Sequence, residues 1–205
     1  MVNSPVKPSL IVAVIAIFCM FWVTAIYSFD PDYPWHLRNG QYILENGIPE
    51  LDPYSYSMPS FQYINHEWFT DVSLYRLHSS FGQIVTGFIF AAIGLASLLL
   101  AIPQLTSGYT ALLLLSGLVV LPYFGIRPQV LSWLFTSLLV NYLLIKRPWL
   151  TPVLFLIWAN LHGSFIFGLI ILALFTLLSK QYLRNITLLV ISSLVTLIKI
   201  GRAHV

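Results

Sequence analysis

The residues best suited to chemistry in this chain of 205 amino acids fall into a few short clusters. Asp30-Pro31-Asp32 sets two carboxylates two positions apart. Such a pair could share a divalent metal ion or take a proton from a substrate hydroxyl. Asp32 could equally cap a helix that begins near Trp35. His66 and Glu67 form a second titratable pair. A glutamate near a helix N-terminus is favourable without any function, and His66 could be an ordinary interfacial residue; both could instead face a cleft shared with Asp30. Arg127 follows a long apolar run and calls for an anion, whether a lipid phosphate, a substrate phosphate or a loop carboxylate, unless it merely snorkels to headgroups. Asn160 and His162 flank a helix break before Gly163. They either line a cavity with polar groups and open backbone or form a polar turn at an interface. Asp30, Asp32 and Glu67 are the candidate metal ligands.

The elements that must position these groups follow from composition. Hydrophobic residues make up 58% of the chain and charged residues 8%, against about 25% charged in a typical soluble domain. So few charges cannot cover a water-facing surface, so the expected class is all-α, a polytopic transmembrane helical bundle. Cys19 has no intrachain partner, which excludes a disulfide scaffold. The net charge of +3 is small and scattered, so no nucleic-acid partner is expected. All seven carboxylates lie between Phe29 and Gly82 beside only Arg38 and Arg76, a formal charge of −5 for that stretch. One acidic, aromatic-rich loop is therefore embedded among apolar spans.

Residues 9–28 form the first span, long enough at about 1.5 Å per residue to cross a hydrocarbon core. Lys7 before it and the acidic loop (29–83) after it place the N-terminus in the cytoplasm and the loop outside. Within the loop, two short interfacial helices are expected, one over 35–46 ending at Gly47 and one over 66–80 capped by Asn65. Further spans are expected at 84–102, 109–125 and 129–145, then a short pair at 150–161 and 163–179, and a truncated span from 186. The pair is preferred to one long helix because it keeps Lys146, Arg147, Lys180 and Arg184 on the inner side. This topology brings the loop, Arg127, Asn160 and His162 to one face of the membrane. The terminal string Ile200-Gly-Arg-Ala-His-Val205 matches the translation of a common sequencing adapter, so residues 199–205 are expected to be foreign to the protein and to carry no function.

The segments Phe29-Asp-Pro-Asp-Tyr-Pro-Trp-His-Leu-Arg-Asn-Gly40, Ile48-Pro-Glu-Leu-Asp-Pro-Tyr-Ser55, Asn65-His-Glu-Trp68, Arg127-Pro-Gln129 and Trp158-Ala-Asn-Leu-His-Gly163 together resemble a recurring set in bacterial polytopic membrane proteins. That set is similar to the GT-C glycosyltransferase superfamily, which includes protein O-mannosyltransferases and the aminoarabinose transferase. The resemblance covers residues 1–198, the N-terminal part of a longer module, and implies that this part alone is inactive. It implies transfer of a sugar from a polyprenyl-phosphate donor to an acceptor on the outer face of the bacterial inner membrane. Asp30 or Asp32 would be the base, and Arg127 would hold the departing lipid phosphate. His36, His66, Glu67, Asn160 and His162 would bind substrate, with Glu67 and His66 supporting the acceptor or a divalent metal ion. Pro34 stands where the set would have an aromatic residue. Two other classes compete. A transporter or flippase would carry ionisable groups near the bilayer midplane and inverted repeats, whereas here the carboxylates are confined to the loop and no repeat is visible. A non-catalytic membrane protein would leave Asp30, Glu67 and Arg127 without a shared cavity.

Overall fold

A computed structural model describes residues 8–27, 30–58, 60–102 and 109–200. Lys7 and residues 201–205, which bear on the orientation and adapter expectations, lie outside the described residues. Every extended element among the described residues is helical, apart from a single antiparallel bridge between Leu51 and Gln62. Among the described residues, three helices are long and apolar enough to cross a membrane: Pro8–Tyr27, Trp68–Ala101 and Pro128–Lys146.

Helix α1 (Pro8–Tyr27) buries Leu10, Ala13, Ile17, Phe21 and Ala25, a stripe at intervals of three and four residues, and leaves Ile11, Val12, Ile15 and Val23 exposed. Helix α2 spans Asp32–Asn46 and starts earlier than Trp35. Asp32 does not cap it. Its own backbone N–H instead donates to Asp30 Oδ1 at 3.1 Å, because Asp30 is the residue placed ahead of the first turn. The helix ends where the Gly47 N–H bonds the Ile43 carbonyl. A loop clipped by the Leu51–Gln62 bridge then returns to α3 (Trp68–Ala101). Asn65 is not the N-cap of α3. Its Oδ1 accepts the Glu67 N–H in a tight turn, and the helix begins after Glu67.

Gly82 interrupts α3 with φ 75° and ψ 176°, a backbone state that residues with a Cβ rarely adopt. The amphipathic piece before it and the apolar piece after it are therefore two helical segments that meet at a kink within the 34 residues of α3. Helix α4 (Thr110–Val120) ends in a 3₁₀ turn at Pro122. Helix α5 (Pro128–Leu138) passes through a π turn (Leu139–Leu143) into the short α6 (Leu144–Lys146). Helices α7 (Thr151–Leu161) and α8 (Phe165–Leu178) are separate, broken at His162, Gly163 and Ser164; α9 covers Tyr182–Ile200.

Two apolar cores result. The first joins Ile17 and Phe21 of α1, Leu74, Phe90 and Ala91 of α3, Leu113 of α4, and Phe124, Ile126 and Val130 at the start of α5. Phe21 and Phe124 stack with ring centroids 4.2 Å apart, a contact worth about 0.5–1.5 kcal/mol beyond its buried area. The second joins Leu139 and Leu143 to Leu154, Phe155 and Trp158 of α7 and to Phe165 and Leu172 of α8. The α5 segment contributes to both cores, and the polar site lies at the end of the bundle where its N-terminus meets α2, α3 and α7.

Candidate functional site

Helix α2 supplies one wall. Asp32, Trp35, His36 and Asn39 recur at helical spacing and therefore share a face, which is why all four line one cavity of about 370 Å³. That volume is within the usual range of ligand pockets. The opposite wall comes from Tyr63 to Glu67 and from Asp71 on the first turn of α3. Close contact between the walls depends on Gly40, where a Cβ would sit 2.1 Å from the Asp71 carbonyl oxygen. Arg127, Pro128 and Gln129 at the head of α5, and His162 from the α7–α8 break, close the remaining side.

Asp71 is the most deeply buried acid of the site, with a side chain 1% exposed. Its Oδ1 lies 2.6 Å from His36 Nδ1, and its Oδ2 accepts from Asn65 Nδ2 at 2.8 Å. The helix N-terminus offsets part of the cost of burying its charge. His36 is buried as well. Burial opposes its charged form, but the hydrogen bond and charge of Asp71, with Glu67 and Asp32, outweigh that and hold His36 above the usual histidine value. Glu67 bridges two histidines, with Oε2 3.9 Å from His36 Nε2 and Oε1 3.2 Å from His162 Nε2. Tyr63 accepts a hydrogen bond from Asn39 at 2.8 Å. Burial pushes its hydroxyl up to about 12, so it serves as a neutral hydrogen-bonding group.

Asp30 and Arg127 form a salt bridge across 97 residues of sequence. Of the anions open to Arg127 in the sequence, a loop carboxylate is the one it meets. The other oxygen of Asp30 holds the Asp32 N–H, so both are engaged, and Asp30 does not line the cavity while Asp32 does. A Cβ at position 125 would come 3.0 Å from Asp30 Oδ2, so Gly125 leaves room for this pair.

His66 also lines the cavity. Asn160 does not: its Oδ1 accepts from Trp68 Nε1 at 3.0 Å and its amide donates to the Leu156 carbonyl. Together with Thr70, whose hydroxyl donates to the Leu161 carbonyl at 2.5 Å, it ties α3 to the end of α7. His162 Nδ1 lies 2.8 Å from Ser132 Oγ and 2.6 Å from Ser164 Oγ. Ser132, His162 and Glu67 thus stand in the order of a nucleophilic triad. Ser132 is buried away from the cavity, however, and accepts the Trp158 N–H at 2.9 Å, so the arrangement braces His162 and does not activate a nucleophile.

Among the described residues no group of three His, Cys, Asp or Glu side chains is arranged to hold a metal ion. Asp30 is spent on Arg127 and a backbone amide, and Glu67 on His162. Among the described residues, Asp30, Asp32 and Glu67 are therefore not gathered around one point as metal ligands would be.

The sequence reading did not include Trp35, Asn39, Tyr63, Asn65, Asp71 or Gln129 in the site. A usable signal existed for some of them: Asp32, His36 and Asn39 at i, i+4 and i+7, and Glu67 and Asp71 at i and i+4, place chemistry on single helix faces. No known protein family, curated protein or solved structure matches the chain.

Proposed function

We propose that this protein is a membrane-embedded glycosyltransferase of GT-C type, moving a sugar from a polyprenyl-phosphate donor to an acceptor at the outer face of a bacterial inner membrane. One observation carries the reading furthest. In a chain with 8% charged residues, Asp32, His36, Glu67, Asp71, Arg127 and His162 converge on one cavity at the end of apolar helices. Titratable groups concentrated in a cleft beside lipid-compatible surface are the usual mark of a reacting site. The apolar flanks support membrane embedding. Val12 and Ile15 on α1, Leu115 and Val119 on α4, and Ile166, Phe167, Ile170 and Leu174 on α8 are exposed, large apolar side chains of the kind that a lipid environment covers. On this reading the bilayer lipid covers those faces, Asp32 meets the substrate, and Asp30 fixes Arg127 near the leaving phosphate.

The test is transfer by the complete gene product in proteoliposomes, using a panel of radiolabelled sugars on polyprenyl phosphate. The expected result is label passing from lipid to a hydroxyl-bearing acceptor. Label that stays on the lipid but crosses the bilayer would replace this reading with a flippase. Label that does neither would leave a non-catalytic membrane protein.

A further inference from the structure

Resting on that reading, we propose that His36, oriented by Asp71, is the general base that takes the acceptor's hydroxyl proton, in place of the Asp30-Pro31-Asp32 carboxylates. The acceptor class is therefore an alcohol or sugar hydroxyl that reaches Nε2 from the cavity.

The geometry is that of an orienting acid and a proton-accepting imidazole. Asp71 Oδ1 lies 2.6 Å from His36 Nδ1, which places the proton of the neutral ring on Nδ1 and leaves the Nε2 lone pair as acceptor. Glu67 Oε2 faces Nε2 at 3.9 Å, an ion-pair distance for the protonated ring but too long for a hydrogen bond, so the Nε2 lone pair of the neutral ring can take a proton from the cavity. His36 lines the cavity. Asp71 is held in turn by Asn65 Nδ2 at 2.8 Å, so the acid cannot rotate away. Asp30 is excluded from this role because both its oxygens are engaged. Asp32 is exposed, whereas His36 is buried and held by Asp71, and an imidazole is the side chain best matched to taking a proton near neutral pH.

In the step itself, Nε2 accepts the hydroxyl proton as the oxygen's electron pair forms the new bond to the anomeric carbon. The bond from that carbon to the phosphate oxygen breaks, and its pair leaves on the phosphate. The imidazolium later returns its proton to water through the open cavity. The charged or titratable groups around His36 are Asp32 on its own helix, Asp71 and Glu67 from the α3 wall, His66 and Tyr63 from the preceding turn, Arg127 from α5 and His162 from the α7–α8 break.

The test uses the complete gene product in nanodiscs with ¹⁵N-labelled histidine, the His36 signal being assigned by its loss in His36→Gln. The expected result is the Nδ1–H tautomer for neutral His36. Asp71→Asn, which preserves shape, should shift the His36 midpoint to lower pH. In the transfer assay, His36→Gln should cost about 10²- to 10⁴-fold. The rate should rise with pH through the His36 midpoint, and Asp71→Asn and Glu67→Gln should both move that limb to lower pH. An Nε2–H tautomer, a midpoint unmoved by Asp71→Asn, or near-wild-type transfer by His36→Gln would each overturn the assignment. A wild-type protein that transfers no sugar would overturn the glycosyltransferase reading and this base with it, while the tautomer and midpoint would still decide whether the Asp71–His36 pair is built as described.

Discussion

Removing Arg127 should destabilise the protein more than removing the charge it neutralises. The Asp30 side chain is 5% exposed and the Arg127 side chain 32% exposed. Arg127→Met therefore strands a carboxylate where water cannot reach it, which costs about 3–5 kcal/mol when a buried partner is lost. Asp30→Asn leaves a guanidinium that water can partly solvate. It also keeps an oxygen for the Asp32 N–H at 3.1 Å, so its cost should be about 1–2 kcal/mol. The double variant has no uncompensated charge and should resemble Asp30→Asn alone, giving a coupling about equal to the Arg127→Met cost, about 3–5 kcal/mol. The assay is denaturant unfolding of the purified chain in detergent micelles, followed by tryptophan fluorescence for all four corners of the cycle. If Arg127→Met were no costlier than Asp30→Asn, or if the two effects simply added, the buried pair would not be the tie between the loop and α5.

Two further outcomes follow from the same site. Gly40→Ala would place a Cβ 2.1 Å from the Asp71 carbonyl oxygen and 2.7 Å from Tyr75 Cβ. Backbone cannot yield as a flexible side chain can, so α2 should lift from α3 at a cost of about 3 kcal/mol, at or above the top of the usual overpacking range; the His36 NMR signal should shift as its bond to Asp71 is lost, and an unshifted signal with unchanged stability would contradict the packing. The raised folded-state value of His36 also sets a pH dependence. Its stabilising contribution should be complete below the unfolded value of about 6.5 and lost as pH rises through the folded one. Unfolding midpoints taken across that window should fall for the wild type and flatten in Asp71→Asn.

The amino-acid sequence alone determines what depends on composition and near neighbours. The apolar spans, the segregation of carboxylates into residues 29–82, the stop at Gly47 and the break at Gly82 all follow from local rules: hydrophobic length, and glycine's tolerance of positive φ. Local rules also misplaced the details at helix starts. Asp32 and Asn65 both look like caps, yet Asp30 holds the first turn of α2 and Asn65 bonds Asp71, because a short polar side chain takes whichever partner the tertiary fold brings nearest. The assignment of roles among the acids lay beyond sequence altogether. Asp71 falls inside the helix expected over 66–80 with no mark of its own, while Asp30 stands in the Asp30-Pro31-Asp32 pair. Packing of α2 on α3 across Gly40 buries Asp71 against His36, while the meeting of the loop with α5 spends Asp30 on Arg127. Both depend on contacts between residues 35 and 97 positions apart, and no periodicity within a single helix encodes which of two acids such a contact will bury.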